Sequence, residues 1–124
     1  MADIIEYVYD SAADTVFMWR LEDDAVSPGI FAATTMTPTR FVATLTPATG
    51  AAIVLDTDAV AITLGATGHF RWNNTTKVLT CAWGPLVPAT IPLGSYRVAL
   101  VAMDGTQTLG IRWGRQSVIV AVEA

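Results

Sequence analysis

The chain has little charge. Of its 124 residues seven are Lys or Arg and eleven Asp or Glu, 15% in all, with a net charge of −4. An average soluble domain carries roughly 25% charged residues. So few cations exclude a nucleic-acid binder, which needs a basic stripe to neutralise phosphates. The same scarcity leaves little to cover a surface, so some apolar area is expected to face a neighbouring chain. Cysteine is scarcer still. Cys81 stands alone, so no disulfide can staple the fold, and with a single histidine, His69, it cannot build a zinc site from Cys and His. Its setting, VLTCAW, suits a small buried apolar residue. No apolar run reaches 18 residues, so no membrane partner is expected. The opening MADIIEYVYD is acidic and lacks the basic start of a secretory leader, which suggests synthesis in the cytoplasm. Disorder is excluded by the 52% apolar content.

Catalytic signatures are missing as well. There is no G-x-S-x-G, no H-E-x-x-H and no phosphate-cradling glycine loop. His69 is the one candidate general base, with Asp14, Asp56, Asp58 or Asp104 as its candidate orienter, and no motif spaces any of them. In ATGHFRWNN, His69 and Arg71 alternate with Phe70 and Trp72. That is the pattern of a strand with one wet and one buried face, so neither an enzyme nor a cofactor is expected. The acidic clusters Glu22–Asp24 and Asp56/Asp58 lack a calcium-loop pattern and are taken as charged turns, the second being the preferred place if an ion binds. The sequons at Asn73 and Asn74 are taken as a turn.

What the chain does have is period-two alternation broken by turn residues. Strands are predicted in 4–9, 14–21, 39–47, 51–56, 59–65, 77–83, 95–103, 107–114 and 116–124, and in GHFRWN. On 39–47, Phe41, Ala43 and Leu45 share one face. SPG, TPATG, DTD, GATG, NNTTK, GPLVP, IPLG and MDGT separate the strands with residues that suit turns. Asp104-Gly105 suits a type I′ hairpin turn. Alanine occurs 19 times, but 17 threonines and the alternation favour strand over helix. A single all-β domain over 1–124 is expected: an antiparallel β-sandwich of seven to nine strands. Trp19, Trp72, Trp83 and Trp113 leave one alternative function open, a carbohydrate-binding module that stacks sugars on exposed rings.

Four stretches then suggest a family: FMWRLEDDAVSPG, TRFVATLTPATGAAIVLD, ATGHFRWNN and LGSYRVALVAMDG. Their order over residues 14–105 resembles the immunoglobulin-like β-sandwich domains of tailed-phage virion proteins, in particular the N-terminal domains of phage baseplate upper proteins. The chain departs from that pattern at GIFAATTMTPT, after the first hairpin. The resemblance implies a non-enzymatic structural role in a virion, as a baseplate, neck/tail or head-decoration part. It implies assembly with other virion proteins and with copies of itself, as a homo-oligomer. For contacts, the chain ends and the proline-rich loop stand out. Ile4, Ile5, Tyr7 and Tyr9 lie near one end, and Val118 and Val120 near the other. Pro85, Pro88 and Pro92 mark a candidate contact arm in WGPLVPATIPLG, and His69 and Arg71 are candidate polar contacts. At least one terminal strand is expected to pair with another strand, in the same chain or a neighbour.

Overall fold

A computed structural model describes residues 4–10, 16–20, 22–24, 31–33, 37–105 and 109–123; for Ile4 and residues 22–24, 31–33 and 111–117 it describes the backbone alone. Ten strands are present among them: β1 (Ile4–Tyr9), β2 (Phe17–Arg20), β3 (Glu22–Asp24), β4 (Phe31–Ala33), β5 (Arg40–Pro47), β6 (Ile53–Asp56), β7 (Phe70–Asn73), β8 (Val78–Cys81), β9 (Gly94–Met103) and β10 (Ile111–Glu123). Five form one sheet in the order β1-β10-β9-β5-β6, three form a second in the order β2-β8-β7, and β3 and β4 make a separate hairpin. The protein is an all-β sandwich.

Alternation decides what fills the space between the sheets. On the three-stranded sheet, Phe17, Cys81 and Phe70 share one rung, and Trp19, Leu79 and Trp72 share the next. Phe17, Cys81, Phe70 and Leu79 are buried, and Trp19 and Trp72 pack against the core at its margin. The five-stranded sheet answers with Phe41, Ala43 and Leu45 of β5, Leu55 of β6, Val98, Leu100 and Ala102 of β9, and Val118, Val120 and Val122 of β10. The ring of Phe41 stacks on Phe70 at 6.2 Å and tilts against Trp72 at 5.5 Å. Trp83 meets Phe17 at 4.9 Å and Phe70 at 5.6 Å, both edge-on. Such ring pairs add about 0.5–1.5 kcal/mol each beyond the burial of their area. The cost lies at the Trp83 indole N–H, which is buried without a hydrogen-bond partner among the described residues.

Several expectations need correction. Residues 59–65 do not form a strand: they turn, with the Ala59 N–H donating to the Asp56 carbonyl and the Ile62 N–H to the Ala59 carbonyl. This segment carries the chain from one sheet to the other, so Val60 is fully exposed while Ile62 is buried. Glu22–Asp24 is not a turn but a strand paired with Phe31–Ala33. The two strands expected over 107–124 are one. Between them lies a register irregularity, in which five steps from Trp113 to Val118 on β10 face two from Leu100 to Val98 on β9. β9 and β10 pair antiparallel, and among the described residues that connect them the left-handed one is Gly110 (φ 88), not the Asp104-Gly105 pair. A Cβ at Gly110 would collide with Val101. The sheet is also not wholly antiparallel, because β1 runs parallel to β10. The terminal strands therefore pair with each other.

Leu79→Ala is expected to cost about 2–5 kcal/mol, because it opens a cavity between the two sheets. Met18→Ala, on the opposite face of the same sheet and 62% exposed, is expected to change stability by less than about 0.5 kcal/mol. Urea unfolding of both variants checks the assignment of faces, and equal costs would refute it.

Candidate functional site

The His69 cluster comes first. Its loop folds tightly because Gly68 lets the backbone close on itself: a Cβ there would stand 2.7 Å from the Thr63 carbonyl oxygen. The Phe70 N–H donates to the Thr63 carbonyl and the Gly65 N–H to the Phe70 carbonyl, both at 3.0 Å. His69 is bound into this loop. Its Nδ1 accepts from the Thr63 N–H at 3.2 Å and lies 3.3 Å from Thr63 Oγ1, and its own N–H donates to that oxygen at 3.2 Å. Arg71 turns the same way, its Nε donating to the Gly68 carbonyl at 3.0 Å. Partial burial holds the His69 imidazole below its usual pKa, favouring the neutral ring that can accept from Thr63. The two side chains hold the crossover between the sheets.

The carboxylates considered as orienters stand elsewhere. Asp56 takes a two-pronged ion pair from Arg40, with Nε to Oδ1 at 3.0 Å and Nη2 to Oδ2 at 2.5 Å. Asp58 lies 3.3 Å from the same guanidinium. Hydrogen bonding from Arg40 lowers the Asp56 pKa below the ordinary carboxylate value. The preferred ion site is therefore filled by a cation of the chain itself. Asp104 accepts from the Thr37 N–H at 3.3 Å, and Asp14 lies outside the described residues. Burial pushes the Cys81 thiol well above its usual pKa, which suppresses the reactive thiolate. Among the described residues no group of three or more His, Cys, Asp or Glu side chains could hold a metal ion. No helix among them is long and apolar enough to cross a membrane.

The three tryptophans whose side chains are described pack in or against the core. Trp83 is fully buried, Trp19 packs edge-on against Phe17 at 5.7 Å, and Trp72 leans on Phe41. The side chain of Trp113 lies outside the described residues. The proline-rich loop, the candidate contact arm, is anchored at its base. It opens with a 3-10 turn at Gly84–Leu86 and contains a cis peptide bond at Val87–Pro88. Leu86, Val87 and Ile91 anchor it in the core, while Pro85, Pro88 and Pro92 lie exposed on top. No family model, curated protein or solved structure matches the chain.

What remains is the outer face of the five-stranded sheet at its terminal strands. Val118 and Val120 are buried, so their side chains are not available to a neighbour, contrary to expectation. Their alternates are available. One outer row runs Ile5, Ile119, Arg97, Thr46 and the next Tyr7, Ala121, Ser95. Ile5 is 53% exposed and Tyr7 47%, and the rings of Tyr7 and Tyr9 stack at 6.4 Å. Arg97 is the one charged residue in these two rows. The other sheet is more polar: its outer face carries Arg20, Arg71, Asn73 and Thr80 beside Met18 and Val78. Sequence reading found Ile5, Tyr7 and Tyr9 through their place at a chain end. It missed Ile119, although strict alternation from Val118 pointed to it.

Because the neutral His69 ring is favoured in the folded chain, protonation favours the unfolded one. The His69 contribution is thus complete above pH 6.5, the ordinary histidine value, and is lost as pH falls below it. His69→Gln, whose carbonyl oxygen can still accept from Thr63, is expected to flatten the fall in urea midpoint between about pH 7.5 and about pH 5.5. An unchanged slope would show that His69 does not couple to folding.

Proposed function

We propose that the chain is a non-enzymatic structural protein of a tailed-phage virion. It is made in the host cytoplasm and joins the particle at the baseplate, the neck/tail or the head surface. Its partners are other virion proteins and copies of itself. The observation that carries the assembly reading is the apolar outer face formed by Ile5, Tyr7, Tyr9, Ile119 and Ala121. Large aromatic and aliphatic side chains with little charge among them are what the centre of a protein interface requires.

The sandwich is further interpreted as immunoglobulin-like, on two supports. The first is strand order. The sequence β10-β9-β5-β6 opposite β2-β8-β7 corresponds to strands G-F-C-C′ opposite B-E-D of that fold. The second is Tyr96, near the start of β9, whose hydroxyl donates back to the Pro92 carbonyl at 2.7 Å. That bond has the form of the tyrosine corner found where strand F begins. It also gives a structural use to LGSYRVALVAMDG, one of the four stretches on which the resemblance to virion proteins rests. The inter-sheet disulfide of antibody domains has no counterpart in a chain with one cysteine.

The wild-type chain is expected to show a scattering mass above 13.2 kDa that rises with concentration. Ile5→Lys, at an exposed site, is expected to leave urea stability within about 0.5 kcal/mol of wild type and to hold the mass at the monomer. Equal association by the two proteins would remove this face as the carrier, and a wild-type monomer at every concentration would remove self-assembly.

A further inference from the structure

The edge of β1 is weakly guarded: its one charge is Glu6, on the inner face. Edge strands are ordinarily kept short, broken by proline or protected by lysine, because their free backbone groups invite another strand. β1, IIEYVY, is six residues long and contains none of Lys, Pro or Gly, whereas the other sheet-edge strands β6, β2 and β7 have four residues each. Among the described residues no strand lies beyond it.

The direction of its free groups follows from one bond. The Asp10 N–H donates to the Glu123 carbonyl of β10 at 2.8 Å. Backbone groups alternate sides along a strand, so the even-numbered residues face β10. The N–H and C=O groups of Ile5, Tyr7 and Tyr9 therefore face outward, and their side chains are the exposed ones on the outer face.

We infer that two copies of this chain join edge to edge through antiparallel pairing of β1 with β1, with Tyr7 on the two-fold axis. Of the registers that keep outer residues opposite outer residues, those centred on Glu6 and Tyr7 overlap the two strands most. Centring on Glu6 sets Glu6 against its own copy, like charges directly opposed, which is destabilising. Centring on Tyr7 sets Glu6 against Val8 of the second copy, Tyr7 against its own copy, and Ile5 against Tyr9. In this register the outward backbone groups of Ile5, Tyr7 and Tyr9 on both chains all find partners. The two five-stranded sheets become one, and the apolar rows run across the axis. A self-complementary edge of this kind is met by its own copy, the isologous contact of a two-fold dimer.

This pairing deepens the assembly reading and rests on it. Cysteines placed on β1 test it, with buried Cys81 out of reach of reagent. Tyr7→Cys is expected to link to itself through a short bis-maleimide, since facing residues of such a pair lie about 5.5 Å apart. Ile5→Cys alone should not link, because its two copies are about 14 Å apart along the strands, but mixed with Tyr9→Cys it should. Amide exchange on the unsubstituted chain guards against a misfolded variant. Ile5, Tyr7 and Tyr9 should slow about ten-fold or more as concentration rises, and Glu6 and Val8 should not. Association without Tyr7 linkage and without the odd-residue pattern overturns the edge pairing and leaves the assembly reading standing. A chain that stays monomeric overturns the pairing, while its recovery in a particle with other proteins would preserve the wider reading.

Discussion

The fold depends on Phe41. It is the side chain of the five-stranded sheet that meets two rings of the other sheet, Phe70 and Trp72. Burying one such ring contributes about 1.5–3 kcal/mol, and the ring contacts also set how the sheets lie on one another. Phe17, Phe70 and Trp83 continue the cluster on the far side. With these rings and the aliphatic rows in place, the strands of the two larger sheets have one face committed to the core. The other face is free to differ between strands, and it does: the outer face of β1 and β10 is mostly apolar, while that of β2, β8 and β7 is mostly polar.

Much of this was legible from alternation alone. Phe41, Ala43 and Leu45 were expected on one face of a strand over 39–47, and they are fully buried there. Phe70 and Trp72 were expected inward and His69 and Arg71 outward. The first pair packs in or against the core, and the second holds its own loop. The coarse class, an all-β two-sheet sandwich, followed from the same rhythm.

The failures have physical causes. AVAITLG alternates like a strand, but the chain must change sheets there, and a crossover needs turns whatever the side-chain pattern. Glu22–Asp24 has a turn composition, yet its backbone pairs with Phe31–Ala33, a contact set by the hairpin rather than by propensity. The anchoring of the proline-rich loop was not legible either, because Leu86, Val87 and Ile91 follow no strand or helix period. Their burial is a property of the corner they cap. The parallel pairing of β1 with β10 joins the most distant strands of the chain, and no local signal encodes it. Val118 and Val120 were singled out for being apolar near a chain end, when their parity along β10 was the informative property.

His69 is bound to its loop, Cys81 is buried and Asp56 is paired to Arg40, so these three side chains serve the fold. Exposed apolar side chains occur at several places among the described residues, but on the outer face of β1 and β10 they are contiguous, and the account turns on whether that face meets another molecule. A reconstruction of the assembled protein, at a resolution that separates strands, tests this most directly. The account predicts that Ile5, Tyr7 and Ile119 lie inside the contact and that the outer face of β2, β8 and β7 is open to solvent. Copies that touch through the three-stranded sheet, with β1 and β10 bare, would contradict it.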